Sequence, residues 1–574
     1  MQPQGGLTPA TKLMAASALL VMLVALFAIV PTRAAILSQL WGLNQVYFAE
    51  FRRKLDARTA PGLDEPFFKA SSVAEAAVPT ANHSGGRYNG PISVTLDAQD
   101  AAITYTLDGS IPTRQSAVYR DPLPINKTTA LRFRAFQDGL HPSPVVTHTY
   151  VIGLNTKLPV VSVVMDPVDL WNRYTGIYDN PEEKGSEWQR AAHIEHLPAS
   201  GGDVIQFPAE IRIHGQTSRS RPKKSFRFTY EAKSVEPQGA QSLWHARPGE
   251  PTRTMVLRTG GAYRLRNELF QTLFDEVGGI GSPATLYVML LNGEIWGLYN
   301  VHEYIDQSFL VRHVAPGQYD LIPDGGEVAA VSGDKKAWKA FEAFYKSHDA
   351  STDDGLRKFG ELINLENFTD YWLFNVYAAN FDWPHHNTLA FRDRIGSDQR
   401  WRWISWDVDA AFNFGGQGIR HDTPAWALRS DLRHDLRFNN QKGLQDDEEM
   451  VAGTLLMRQL VKNAQFRQSV AARMCDLLDT TLKASHVEGV LNDLLRETGS
   501  GLPIDLTRWS IEPKAYWDEV GAIRQFIRER PDLVRTYLGR AFGLPTDYCA
   551  VAGAKAPALQ TPVSVARANV ERAP

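Results

Sequence analysis

Only two cysteines, Cys475 and Cys549, occur in 574 residues, which excludes a disulfide-dense scaffold and a thiolate zinc cluster alike. Their pairing with each other is open at this level. An excess of one charge is also missing. Lys and Arg number 61 against 64 Asp and Glu, a formal net charge of −3, so the composition gives no electrostatic reason to expect nucleic acid as a partner. No internal repeat of roughly 20 to 50 residues is present, which sets aside solenoids and propellers. Nor is the chain short of core-forming residues. With 43% hydrophobic and 22% charged residues it is an ordinary globular sequence, and at roughly 150 residues per domain its length predicts three or four domains.

The longest apolar run lies between Lys12 and Pro31. At about 18 residues (13–30) it is long enough to span a bilayer and longer than the usual h-region of a cleaved signal. Residues 1–35 therefore read as an N-terminal signal anchor, one transmembrane helix. Basic residues flank it on both sides, Lys12 ahead and Arg33, Arg52, Arg53 and Lys54 behind, so charge alone does not orient it. A single N-terminal span before a large body is the common form of a tethered exported domain. The expected location is accordingly membrane-anchored with an extracytoplasmic body, in a periplasm or at a cell surface. Residues 36–77 read as a stalk, an amphipathic stretch at 37–55 followed by a loop at Pro61, Gly62 and Pro66. Residues 550–574, rich in Ala, Val and Pro without periodicity, read as a disordered tail.

Between 78 and 153 short runs alternate apolar and polar residues, with Asp108-Gly109 and Asp138-Gly139 as turns. Period two with glycine turns predicts antiparallel strands and a compact β-sandwich. The stretches Ile103-Thr-Tyr-Thr-Leu-Asp-Gly-Ser-Ile-Pro-Thr113 and 122–136 resemble the immunoglobulin-like module at the C-terminus of chitobiases and β-hexosaminidases. That resemblance implies an accessory module with spacing or adhesion as its role, and glycan contact as the sharper alternative.

From 158 to 545 strands and helices mix. Strands are predicted at 160–165, 210–214, 225–230, 286–291, 388–392 and 401–406, and helices at 265–277, 337–347, 365–378 and 453–482. One α+β domain is the simplest parse, with a separate helical lobe after about residue 420 as the alternative. The densest chemistry lies in Asn380-Phe-Asp-Trp-Pro-His-His-Asn387 and Trp401-Arg-Trp-Ile-Ser-Trp-Asp-Val-Asp409. If the strands after Asn387 and before Asp407 form a hairpin, Asp382, Asn387, Asp407 and Asp409 meet at one end of it. Hard oxygen ligands gathered in this way suit Mg²⁺ or Mn²⁺. The bland alternative is that these residues cap turns and helices. An Asp, four residues and an Asn is also the spacing of a kinase catalytic loop, followed there by a second metal-binding Asp. A basic run, Arg212 to Lys224 with Gly215 inside it, supplies cations and a tight turn of the kind that meets phosphates, or else a solvated loop.

Four blocks carry a resemblance to the CotH family of atypical secretory protein kinases, known first from spore coats. They are His214-Gly-Gln-Thr-Ser-Arg219 with Pro222-Lys-Lys-Ser-Phe226, Leu265-Arg-Asn-Glu-Leu-Phe270, Leu291-Asn-Gly-Glu-Ile-Trp-Gly-Leu-Tyr-Asn-Val-His-Glu303, and 382–387 leading to Trp406-Asp-Val-Asp-Ala-Ala-Phe412. The resemblance implies a divergent protein-kinase-like α+β domain that binds ATP with Mg²⁺ or Mn²⁺ and phosphorylates Ser or Thr of a protein substrate. It implies that Asp382 accepts or orients the hydroxyl proton, and that Asn387 and Asp409, with Asp407 as the alternative ligand, hold the metal. Lys224 or Lys223 then neutralises phosphates, with Arg219 nearby and Glu303 as the partner of that lysine. Two departures stand out. His385 and His386 fill the catalytic turn, and Ala410 and Ala411 replace the Phe-Gly that follows the metal-binding Asp of other kinases. They keep open a non-catalytic envelope scaffold or glycan-binding protein with an inactive kinase-like domain.

Overall fold

The computed structural model describes residues 74–231, 252–260, 265–323, 329–384, 386–429 and 447–552. The apolar run at 13–30, the stalk to residue 73 and the tail after 552 lie outside them. Among the described residues no helix is long and apolar enough to cross a membrane. The start of the expected tail is helical, in Tyr548–Ala552.

Alternation builds the first module. In Thr129–Phe136 the side chains of Leu131, Phe133 and Ala135 are fully buried while Arg132 and Arg134 between them are not. This strand is central in a five-stranded sheet ordered Gly86–Tyr88, Val146–Ile152, Thr129–Phe136, Ala102–Thr106, Ala117–Val118. The pairs Ile92–Val94 with Leu123–Ile125 and Thr80–Ala81 with Leu96–Asp97 pack Val94, Leu96 and Ile125 against it, which makes the expected sandwich.

Seven strands then close a barrel. In order around it they are Val160–Val164, Arg190–Leu197, Ile205–His214, Ser225–Glu231, Thr252–Thr259, Glu294–Glu303 and Thr285–Leu291. Closure comes from a parallel pairing, Val160 opposite Val288, and it abolishes sheet edges. Ile211, Ile213, Phe226, Phe228, Met255, Leu257, Tyr299 and Val301 fill the interior. The residues between them face outward and form rows fixed by register. Arg212 lies opposite Arg227, Arg227 opposite Val256, and Val256 opposite His302. The neighbouring row sets Arg258 opposite Asn300.

The expected hairpin forms as Leu389–Asp393 and Arg402–Ile404, with Leu389 opposite Ile404, and Tyr319–Pro323 joins it as a third strand. The C-terminal helices are not a separate lobe. Leu269 and Phe274 of helix Leu265–Glu276, Leu373 of Leu365–Ala378, Met474 of Ala464–Asp479 and Phe526 of Pro513–Phe542 share one apolar cluster. The single helix expected at 453–482 is two, Asp447–Leu460 and Ala464–Asp479. Asn463 interrupts it because its Oδ1 accepts from Phe466 N at 2.9 Å, an N-cap that starts the second helix. Cys475 and Cys549 are joined by a disulfide, Cα to Cα 5.5 Å.

Candidate active site

Helix Leu365–Ala378 carries the chain to the cleft and stops there. Its cap, Ala379, has φ 49°, a left-handed conformation that a residue with Cβ adopts at a cost. Arg530, fully buried, holds this end. Its guanidinium donates to Val376 O at 2.7 Å, Tyr377 O at 3.0 Å and His421 O at 2.7 Å, and burial pushes its pKa down to about 10. The following turn is tied by its own side chains. Asn380 Nδ2 donates to Asn375 Oδ1 at 2.9 Å, its Oδ1 accepts from Asp382 N at 3.2 Å, and Asp382 O accepts from His386 N at 3.1 Å. The Trp383–Pro384 peptide is cis.

The hairpin then brings the acidic residues back to this turn. Asn387 Nδ2 donates to Asp407 O at 3.1 Å. Phe381 N donates to Ala410 O at 3.2 Å and Phe412 N to Ala378 O at 2.8 Å, so the two loops lie side by side. Asn387 at φ 55° and Asp407 at φ 50° are both left-handed, and such conformations persist where the surroundings over-determine them. Asp382 is reached by solvent but walled by the cleft. That partial desolvation, together with the negative charge of Asp407, pushes its carboxyl above the usual range, while His386 pulls it down. A carboxyl moved toward neutrality suits proton transfer.

Across the cleft the barrel answers with Arg258. Its Nη2 donates to Asp407 Oδ1 and, at 2.9 Å, to Asp409 Oδ2, so one cation spans both carboxylates. The adjacent helix start holds the same wall with three consecutive residues. Arg266 Nε donates to Phe412 O at 3.2 Å, Asn267 Oδ1 accepts from Val408 N at 3.2 Å, and Glu268 Oε1 accepts from Asn300 Nδ2 at 2.9 Å. Reading the sequence missed Arg258 altogether and gave no role to Asn267, Glu268 and Asn300, although these three stand inside blocks that carry the family resemblance. The signal for Arg258 was present in Thr252–Thr259, where Met255 and Leu257 point inward and turn Arg258 out.

The expected phosphate-binding cations lie elsewhere. Arg219 is buried with its donors on carbonyls, Nη1 on Ile213 O at 2.7 Å and Nη2 on Glu183 O at 2.7 Å, and burial lowers its pKa. Lys224 is buried too, Nζ on Arg219 O at 2.8 Å and Arg221 O at 3.0 Å, with its pKa likewise lowered first by burial. Both cations stitch the Gly215 turn together rather than meeting Asp407 or Asp409. Gly215 is at φ 104°, where an added Cβ would sit 2.3 Å from Ser218 Oγ, so the tight turn is real. Lys223 Nζ pairs with the buried Asp505 at 2.5 Å and sits 5.1 Å from the centre of the Tyr299 ring. Glu303 pairs with neither lysine. It accepts from Arg312, from His313 Nε2 at 2.5 Å and from Arg253 at 3.3 Å. Burial would raise its pKa, but these donors outweigh it and hold the carboxyl below its ordinary value.

The chitobiase/β-hexosaminidase C-terminal domain family matches residues 83–147, the sandwich. No curated protein matches the chain. A solved structure titled as the crystal structure of a Helicobacter pylori proinflammatory kinase CtkA is similar over 52% of this chain and 90% of its own, at 11% identity and a TM-score of 0.20, too low to carry an argument. The CotH kinase protein family matches residues 211–534, more than half of the chain and all of the cleft described above. On that match the chain belongs to the CotH kinase family.

Proposed function

We propose that this protein transfers the γ-phosphoryl group of ATP to Ser or Thr hydroxyls of a protein substrate, with Mg²⁺ or Mn²⁺, at the cleft of Asp382, Asn387, Asp407 and Asp409. The observation that carries this reading is the meeting of those four residues at one end of a hairpin, opposite an arginine that draws two of the carboxylates together. The donor set fits a divalent ion. Asp407, Asp409 and the amide oxygen of Asn387 are hard oxygen donors, and Mg²⁺ takes one or two carboxylates from protein while water and phosphate supply the rest. Among the described residues no group of three or more His, Cys, Asp or Glu is arranged to hold a metal. When bound, such an ion neutralises phosphate charge.

The chain's own residues do the rest. Asp382 accepts or orients the acceptor hydroxyl proton. Arg258 keeps the two carboxylates side by side, and Asn387 fixes the Asp407 backbone. Phosphoryl transfer demands mainly positioning and charge stabilisation, so no covalent nucleophile is needed.

Export and tethering belong to the same reading, supported by the apolar run at 13–30 and by the Cys475–Cys549 disulfide, a bond that persists in oxidising compartments. The sandwich then spaces the kinase-like domain from its anchor or contacts glycan.

The test is incubation of the purified chain with γ-labelled ATP, Mg²⁺ or Mn²⁺ and Ser-rich acceptor proteins, beside Asp382→Ala and Asp409→Ala. Label on protein should fall at least 100-fold in both variants, with circular dichroism unchanged. Undiminished transfer in either variant would remove that residue from the mechanism. Absence of both label and metal-dependent ATP binding in the parent would leave a non-catalytic scaffold.

A further inference from the structure

Past Asp409 the chain makes one more tight turn, Phe414–Gly416, before it enters helix Thr423–Ala427. The turn is fixed rather than loose. Asn413 at φ 66°, Gly415 at φ 62° and Gly416 at φ 77° are all left-handed, a conformation that glycine and asparagine adopt at least cost. Its base is closed by the buried Asn413. There Oδ1 accepts from Gly418 N at 3.0 Å and from Ile419 N at 3.4 Å, and the backbone O accepts from Gly416 N at 3.0 Å. On this frame the Phe414 side chain is left 50% exposed, although a ring of that size gains free energy wherever it is taken out of water. One side of it is held from within. The buried Arg266 guanidinium lies 5.6 Å from the ring centre, within the range of a cation–π contact. Glu519 meets the charge of Arg266, so the cation beneath the ring is no lure for an acidic partner.

The position of the turn names what covers the ring. Phe412 N donates to Ala378 O and Phe381 N to Ala410 O, so this stretch runs beside the loop on which Asp382 follows Phe381. A polypeptide that brings a hydroxyl to Asp382 lies against the same wall. The other large apolar side chains there, Trp383, Phe412 and Ile419, are buried, and Phe414 is the one turned out. We propose that Phe414 packs against an apolar side chain of the acceptor polypeptide and so selects which Ser or Thr is phosphorylated. This inference rests on the transfer reading above. From Asp382 through the Phe381–Ala410 bond to Phe414 the chain spans at most about 25 Å at full extension, and an extended acceptor rises about 3.3 Å per residue. The recognised side chain therefore falls within about seven residues of the hydroxyl. A ring already fixed by its turn gives up little freedom on contact, which lets a single aromatic residue act as an anchor.

The experiment walks a single Phe through the positions on either side of a central Ser in a Gly- and Ala-rich peptide, with the full chain as the enzyme. Two quantities are read. One is kcat/KM for label transfer from γ-labelled ATP, and the other is fluorescence anisotropy of the same peptides with Ala in place of Ser, without ATP or metal. Phe at one position should raise kcat/KM at least tenfold through KM, with kcat steady, and should tighten binding by a similar factor. Phe414→Ser should abolish both gains while transfer to the Phe-free peptide stays within about twofold of the parent, and Phe414→Leu should keep most of them. No preferred position in the parent, or a preference that survives Phe414→Ser, would overturn the proposal. An equal loss on the Phe-free peptide would also overturn it, because the turn would then be a structural part of the cleft. Binding that favours one position and depends on Phe414, in a chain that transfers nothing, would uphold the contact and remove the transfer reading alone. Transfer without any preference would do the reverse.

Discussion

Arg258 is the residue on which the cleft turns, because it ties the barrel to the acidic loop through a single guanidinium. It is largely buried, at 12% side-chain exposure, while Asp407 and Asp409 are 39% and 27% exposed, so solvent screens part of the attraction. Arg258→Gln should cost about 1–2 kcal/mol in the ligand-free protein, the usual worth of a charge-assisted bond whose carboxylates keep some water. It should also make the protein more responsive to Mg²⁺, since Asp407 and Asp409 then meet the ion without the Arg258 cation held against them. Melting curves with and without Mg²⁺ decide this. A larger upward shift in Arg258→Gln than in the parent is expected, and equal shifts would mean that Asp407 and Asp409 are not a cation site. The same residue marks a limit of the sequence. Lys223, Lys224 and Arg219 draw attention because they cluster, yet clustering says nothing of direction. Lys224 and Arg219 precede Ser225–Glu231 in a turn and fold back onto its carbonyls. The strand parity of Arg258, by contrast, could have been read.

Among elements, the hairpin and its flanking loops were legible since each signal is local: alternation in Leu389–Asp393, Gly396 at the turn, Asp and Asn at the ends. Barrel closure was not legible. It rests on Val160 pairing with Val288 across an intervening stretch of other strands, and nothing in either strand names its partner. The third strand Tyr319–Pro323 was missed for the same reason. Helix Leu365–Ala378 was readable to its last residue, but the device that fixes its end was not. Arg530 comes from helix Pro513–Phe542, and its five donors are spent on groups of 376–377 and 418–423. Replacing Arg530 with Met would strand several buried carbonyls, at about 1–3 kcal/mol each before relaxation. A loss of roughly 3–5 kcal/mol is expected, as for breaking a buried charged network. Denaturant unfolding measures it. The loss should be accompanied by faster hydrogen exchange at 376–382, the approach to Asp382, and a variant of parental stability would show that the helix end is held without Arg530.

At the scale of the whole described body, the sandwich and the barrel are joined by a buried joint rather than a loose linker. Val151 of the sandwich packs with Leu197, Val160, Val288 and Leu298 on the outside of the barrel, and Arg87 donates to Thr156 O at 2.7 Å and Leu158 O at 3.0 Å. Inside this apolar contact sits a carboxyl. Glu195 of the barrel is fully buried and accepts from Thr149 N at 3.0 Å and from Thr149 Oγ1, itself 2.8 Å from Ser162 Oγ. Burial pushes its pKa up to about 7, against the two Thr149 bonds that lower it. A carboxyl raised in the folded state binds its proton more tightly there than in the unfolded chain. Its contribution is therefore full below about pH 4.5 and is lost as pH rises through about 7, amounting to roughly 3 kcal/mol. His193, two residues away on the same strand, is pushed down to about 4 by burial and acts oppositely, adding stability as pH rises from about 4 to 6.5. His196 on that strand is also lowered to about 4, so the melting temperature of the parent alone hides the effect. The difference between parent and Glu195→Gln isolates it, because the histidines are common to both. That difference should be near zero at pH 4 and favour Glu195→Gln by roughly 3 kcal/mol at pH 8. Parallel stability curves across this range would mean that Glu195 stays ionised in the joint, and that Thr149 with Ser162 carries its charge unaided.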